Sequence, residues 1–197
     1  MNTILMAIRT TIITLVLTGL AYPLLVTGLG QFLFSHRASG SLLRDDRGQV
    51  IGSEIIGQRF QHPAYFWGRP SAAGAEGYDA AASGGSNLGP TAQALRDRAA
   101  AAVARLRAAD PHNAAPLPAE LVTASASGLD PHLSPAAARF QVPRVARARG
   151  VSSERVQAVM EAEVEGRDLG FLGEKRVNVL RLNLTLDRLF GSPEARE

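Results

Sequence analysis

The sequence predicts an α+β domain carried behind a single membrane-spanning helix, and three observations predict it. Thr10 to Ser35 is a run of about 26 residues without a charge, longer than the ~20 apolar residues a helix needs to cross a bilayer. Beyond it, apolar residues recur every three to four positions in several segments, the period of a half-buried helix. Between those segments stand short apolar runs bounded by Asp and Gly, the pattern of hairpin strands. The organisation expected is a flank at 1–9, a transmembrane helix at 10–35 and one soluble α+β domain at 36–197.

The spanning run is rich in Ile, Leu and Val and leaves through Gln31, Phe32, Leu33, Phe34, Ser35 and His36, with no A-x-A cleavage signal. It therefore reads as an uncleaved anchor rather than a secretory signal. Thr10, Thr14 and Thr18 recur every four residues and share one helix face close to Ala21. Small hydroxylated residues let helices approach closely and hydrogen-bond in lipid. Alternatively, each hydroxyl bonds the carbonyl of its own preceding turn. Pro23 removes a backbone donor mid-span and predicts a kink. Arg9 on one flank faces Arg37, Arg44 and Arg47 on the other. By the positive-inside count this places the domain in the cytoplasm, although long domains translocate largely regardless of charge.

Gly40–Arg44 and Gln49–Ile56 flank Asp45, Asp46, Arg47 and Gly48 and predict a hairpin. Trp67 to Pro90 is rich in Gly, Ala, Ser and Pro and predicts a surface connector. A helix is expected from Thr91 to about Ala109, with Leu95, Ala99, Val103 and Leu106 inward and Pro111 ending it. Leu121–Thr123 reads as a short strand. Ser134 caps a further helix with Pro135 in its first position, and Pro143 either kinks it or opens another, with Val142 and Val145 inward. Ser152 or Ser153 caps the next, carrying Val156, Val159, Met160 and Val164. Val177–Leu180 reads as a strand running into a mixed segment with Leu182, Leu184, Leu186 and Leu189.

Composition narrows the chemistry. Cysteine is absent, which excludes disulfides, thiolate nucleophiles and Cys-bound metal. The net charge of +3 is spread along the chain, and all basic residues but Lys175 are arginine; no stripe marks a nucleic-acid binder. His36, His62, His112 and His132 show no metal-ligand spacing, so no metal site is expected.

Three segments stand out. Tyr65, Phe66, Trp67 and Arg69 combine aromatics with a guanidinium, the residue types that dominate binding hot spots; the other reading is a core edge capped by aromatics. Ser83, Gly84, Gly85, Ser86 and Asn87 form a flexible loop leading toward the Thr91 helix, where free N–H groups suit phosphate; a plain connector is the other reading, and no G-x-x-x-x-G-K-[ST] occurs. Ser125, Ser127, Asp130 and His132 raise a hydrolase, but Asp130 and His132 are too close and no G-x-S-x-G elbow precedes them. A capped turn ahead of Ser134 explains them better. No catalytic residue is expected.

These segments carry a resemblance. Tyr22-Pro23-Leu24-Leu25, Gly40-Ser41-Leu42, Ile56-Gly57-Gln58, Tyr65 to Ser71, Ser83 to Leu88, Leu121 to Asp130, Pro143 to Arg149, and Val177-Asn178-Val179 with Leu182-Asn183-Leu184 occur in an order that closely resembles the C subunit of the bacterial Kdp potassium-transporting ATPase. The resemblance covers nearly the whole chain. It implies a single-pass inner-membrane subunit, its soluble domain periplasmic. The implied partners are a channel-like potassium-binding A subunit, a P-type ATPase B subunit and a very small fourth subunit. It further implies a role in assembly and as a catalytic chaperone raising the ATPase subunit's affinity for ATP. Under that resemblance Ser83, Gly84, Gly85, Ser86 and Asn87 are the nucleotide contact, with ATP shared rather than a cofactor of its own. The docking residues are Thr10, Thr14, Thr18, Tyr22, Pro23, Tyr65, Phe66, Trp67 and Arg69. The chain has no D-K-T-G phosphorylation motif. A tethered periplasmic module unrelated to transport is the alternative.

Overall fold

The computed structural model describes residues 2–45 and 47–193. Asp46 of the expected turn, Met1 of the expected flank and residues 194–197 lie outside the described residues. The chain divides into two compact units, 1–53 and 54–197.

In the first unit, α1 (Asn2–Val16), a π-helical turn (Leu17–Ala21) and α2 (Tyr22–Leu33) make one continuous helix with no buried residue, long and apolar enough to cross a membrane. The helix begins well before Thr10, because nothing in residues 2–9 breaks it. Pro23 explains the wide turn: its ring would strike the carbonyl four residues back. Ahead of it the Tyr22 N–H donates to the Leu17 carbonyl, a five-residue step that opens the ladder. The Thr14 hydroxyl donates to the Thr10 carbonyl at 2.6 Å and the Thr18 hydroxyl to the Thr14 carbonyl at 2.7 Å. Of the two readings of the threonine face, the local one is observed at Thr14 and Thr18. A short α3 (Ser35–Ala38) follows, then the expected hairpin of β1 (Leu42–Arg44) and β2 (Val50–Ser53), antiparallel. Its turn is held by the Asp45 carboxylate, which accepts from the N–H groups of Arg47 and Gln49 at 2.9 and 2.8 Å.

The second unit has one core, built chiefly from the C-terminal third of the chain. After a long coil comes α4 (Gln93–Ala109), of which only Leu106 is buried. Leu95 and Ala99 are half-covered and Val103 is exposed, so the predicted inward face touches the core only at its last turn. Leu121–Thr123 is no strand: Ala119–Leu121 is a single tight helical turn, and the Thr123 hydroxyl donates back to the Ala119 carbonyl.

β3 (His132–Leu133) leads into α5 (Pro135–Arg149), capped by the Ser134 hydroxyl, which accepts from the Ala137 N–H. Pro143 lies inside α5 on its exposed side, with Val142 and Val145 buried. Ser152 caps α6 (Ser153–Ala162), which buries Val156 and Met160. Val164 has left that helix for β4 (Val164–Glu165), which pairs with β5 (Arg176–Asn178). The strands stand in the order β3-β5-β4, all antiparallel. The predicted strand Val177–Leu180 ends at Asn178. There the Asn178 side chain accepts from the Arg181 N–H and starts α7 (Val179–Phe190), so the mixed segment resolves as helix. Leu182 and Leu186, one turn apart, seal α7 onto the core of Leu133, Val145, Val156, Met160 and Val177.

Candidate functional site

The three segments singled out in the sequence meet in one loop cluster of the second unit. Its hub is residues 123–131. Arg69 donates to the Asp130 carboxylate at 3.1 Å and, less closely, to the Ala124 carbonyl at 3.4 Å. The Ser71 hydroxyl donates to the Gly128 carbonyl at 2.6 Å and accepts from the Tyr78 N–H at 2.7 Å. The Gly84 N–H and the Ser83 hydroxyl both donate to the Ser127 carbonyl, at 2.9 and 3.0 Å. The Gly57 N–H donates to the Leu129 carbonyl at 2.8 Å. Three glycines are needed for this approach. A methyl on Gly57 would sit 2.7 Å from the Asp130 carbonyl. A methyl on Gly85 would sit 2.9 Å from the Ala126 carbonyl, and Gly128, with φ +66°, would meet Ala73 and Gly84 backbone at 2.7 Å.

The Ser83–Asn87 loop is thus a packing element, its first two donors already engaged. It does not run straight into α4: a turn closed by the Ala92 N–H on the Gly89 carbonyl lies between, and Ala92 supplies no side-chain cap. An open groove of about 560 Å³ flanks the hub, lined by Ile55, Ile56, Ser83, Ser127, Leu129 and Asp130 among others. A second, narrower cleft of about 180 Å³ lies between Arg59, Arg69, Arg105, Tyr78 and Glu76. The Tyr78 hydroxyl donates to the Arg69 carbonyl at 2.5 Å, and burial pushes its pKa up to about 12. Burial likewise lowers the pKa of Arg105, whose guanidinium lies 4.8 Å from the Trp67 ring.

The aromatic segment lies inward. Phe66 is fully buried and Trp67 nearly so; the docking surface expected from them is not on the surface, because the rings fill the core between α5 and α7. Burying this coil requires partners for its backbone, and two side-chain amides provide them. Asn183 accepts from the Phe66 N–H at 2.8 Å and donates to the Phe66 carbonyl at 3.0 Å. Gln141 does the same for Trp67, at 2.9 Å each way. Arg144, buried and stacked 3.9 Å from the Trp67 ring, donates to the Tyr65 and Pro63 carbonyls and to Gln141. Burial lowers its pKa to about 10. The Tyr65 hydroxyl donates to Asp187 at 2.8 Å, and Asp187 also accepts from the buried Arg149 at 2.8 Å. Burial first, and then that hydrogen bond, raise the Tyr65 pKa. Tyr65 and Arg69 are half-buried and internally bonded.

The hydrolase geometry does not form. Ser125 is buried, the Ser127 hydroxyl accepts from the Leu129 N–H, and one Asp130 oxygen accepts from the His132 N–H at 3.0 Å, the capped turn expected there. Burial works against ionising Asp130, but the hydrogen bonds from His132 and Arg69 outweigh it and hold the carboxyl below the usual range. Among the described residues no cluster of three or more His, Asp or Glu is placed to hold a metal. In the sequence Gln141 carries no assigned role and Asn183 is named only within a motif; an Asn or Gln on the buried stripe of a helix, read beside Leu182 and Leu186 or Val142 and Val145, is the available signal.

The chain as a whole has relatives among known proteins. The family model of KdpC, the c chain of K+-transporting ATPase, matches residues 4–188. This chain belongs to that family. A KdpC subunit of the potassium-transporting ATPase from Myxococcus xanthus is 64% identical over 190 residues, 96% of this chain and 90% of the relative. The KdpC subunit of Methylococcus capsulatus is 58% identical over 173 residues, 88% of this chain and 90% of the relative. That of Herpetosiphon aurantiacus is 54% identical over 183 residues, 93% and 94% of the two chains. The loop hub and the buried aromatic segment therefore lie in a KdpC chain, a subunit of the K+-transporting ATPase.

Proposed function

We propose that this chain is the accessory, non-catalytic subunit of a bacterial ATP-driven potassium-uptake complex. The 2–33 helix anchors it in the inner membrane and the second unit stands in the periplasm. Its partners are a channel-like potassium-binding subunit, a P-type ATPase subunit and a very small fourth subunit. The observation that carries the reading is the family match over residues 4–188, together with the lack of a D-K-T-G motif in the sequence. The chain stabilises the assembly and raises the ATPase subunit's affinity for ATP. With the second unit outside, the Ser83–Asn87 loop does not meet cytoplasmic ATP, and the effect on nucleotide is transmitted through the partner subunits.

The reading rests on the anchor as well. Thr10, Thr14 and Thr18 are exposed on one face, with the Thr14 and Thr18 hydroxyls turned to their own helix. This face, with Tyr22 and Pro23, offers partner helices close approach rather than hydrogen-bond donors.

Co-purification tests the assembly. A C-terminally tagged full chain in mild detergent should recover a P-type ATPase and a channel-like subunit in stoichiometric amounts; a lone chain would sink the reading. Thr14→Leu with Thr18→Leu should reduce that recovery, and full retention would remove the threonine face from it. The chaperone role predicts a lower KM for ATP when the complex contains this chain than when it lacks it; equal values would refute that role.

A further inference from the structure

The narrower cleft beside the hub is out of charge balance. Arg59, Arg69 and Arg105 all line it, and Glu76 is the one carboxylate among its lining residues. Arg105 reaches it from α4, the other two from the coil that holds the buried aromatics. Burial lowers the Arg105 pKa first, and the Arg59 charge pushes it the same way. Internal partners leave the excess standing. Arg69 is paired with Asp130 of the hub at 3.1 Å. Arg59 meets Glu76 at 3.3 Å, but Glu76 is 90% exposed, and water screens such a pair. The Arg105 side chain is open to solvent and has, among the described residues, no hydrogen bond and no ion pair; what it touches is the Trp67 ring, 4.8 Å from its guanidinium.

The walls of the cleft are fixed without a ligand. Tyr78 adopts φ +60°, a left-handed conformation that costs a tyrosine energy. It is held there at both ends, its N–H donating to the Ser71 hydroxyl at 2.7 Å and its hydroxyl to the Arg69 carbonyl at 2.5 Å. Gly68 makes room for that hydroxyl, since a methyl there would stand 2.6 Å from it. Buried and neutral, with its pKa near 12, Tyr78 supplies no negative charge to offset the arginines.

The donors select the ligand. Guanidinium forks match the oxygens of carboxylate and phosphate. A carboxylate presents its oxygens in one plane, whereas phosphoryl oxygens point apart around a tetrahedron and so suit guanidiniums that arrive from separate segments. At about 180 Å³ the cleft has room for one such group and falls below the ~300–1,000 Å³ of sites that bury a ligand of nucleotide size. We propose that Arg105, with Arg59 and Arg69 beside it, forms an oxyanion site that takes a single phosphoryl group. Free phosphate and the headgroup of an anionic phospholipid both carry that group. The proposal rests on this chain alone and stands apart from the assembly reading.

The test uses the full chain in a neutral detergent near neutral pH, with thermal unfolding followed through Trp67 fluorescence. Inorganic phosphate and the short-chain lipid dihexanoylphosphatidylglycerol are titrated separately at constant ionic strength, against chloride and succinate. A ligand at ten times its dissociation constant should raise the unfolding midpoint by about 3 °C, and the rise should saturate. Arg105→Gln should abolish the rise. Arg59→Gln should weaken the affinity about tenfold, and Glu76→Gln, which removes the one opposing carboxylate, should tighten it about threefold. These last two alter exposed side chains and carry the test even where Arg105→Gln fails to fold. A saturable rise with phosphate assigns the site to the free ion, and one with the lipid alone assigns it to a headgroup; both sustain the proposal. No saturable rise with either, an equal rise with chloride or succinate, or a rise that Arg59→Gln and Glu76→Gln leave unchanged overturns it.

Discussion

Tyr65–Trp67 and Leu169–Leu172 are both short irregular segments with aromatic and apolar side chains beside arginines, yet one is buried in the core and the other stands in water. The difference lies in the backbone. Coil can be buried only where its N–H and C=O groups find partners. For Phe66 and Trp67 those partners are Asn183 on α7 and Gln141 on α5, each bonded both ways. The 168–172 loop bonds its own backbone through the Asp168–Leu172 pair, and among the described residues no core side chain bonds it. Apolar content alone decides neither outcome.

The largest effects should come from breaking the buried half of this contrast. Gln141→Leu removes the partner of both Trp67 backbone groups and one acceptor of Arg144; it should destabilise the chain by about 4 kcal/mol. Asn183→Leu orphans two groups and should cost about 3 kcal/mol. Urea unfolding in detergent, followed by the fluorescence of the single tryptophan, Trp67, measures both; losses under about 1 kcal/mol would mean that the amides are not what admits this segment to the core. Gly85→Ala drives a methyl against the Ala126 carbonyl and should cost about 2 kcal/mol, read the same way.

A smaller effect separates the hub from the core by pH. Asp130 is held below its unfolded value of 3.8. The unfolded chain therefore binds the extra proton, and the stabilisation is present above that value and lost as pH falls through the folded pKa. Acid unfolding below about pH 4 should flatten in Asp130→Asn; an unchanged acid limb would show that the Arg69–Asp130 pair does not contribute. The smallest effect should be at the tip. Phe171→Ser should change stability by less than about 0.5 kcal/mol, and a larger loss would mean that the tip supports the fold.

Much of the fold was legible because its signals are local. The uncharged run, the Asp45 turn, the Ser134 and Ser152 caps and the inward positions of Val142, Val145, Val156 and Met160 each follow from a few neighbouring residues. The failures were non-local. Leu121–Thr123 has strand-forming residues, but among the described residues no strand pairs with it and Ala119–Leu121 closes as a helical turn. Val103 sits on the right helical face, yet α4 meets the core only at Leu106. The Ser83–Asn87 glycines looked like freedom to approach a ligand, and the approach is to Ala126.

By itself the sequence determined the apolar helix, the family, the absence of cysteine chemistry and the positions of most helices, because length, charge, capping and period are properties of neighbouring residues. Only the tertiary structure decided which aromatic segment is core, where the glycine loop packs and which apolar tip remains uncovered. Those outcomes depend on hydrogen-bond partners that lie 74 residues away for Trp67 and Gln141 and 117 for Phe66 and Asn183; a local pattern marks a polar residue on a buried stripe but not the segment it bonds.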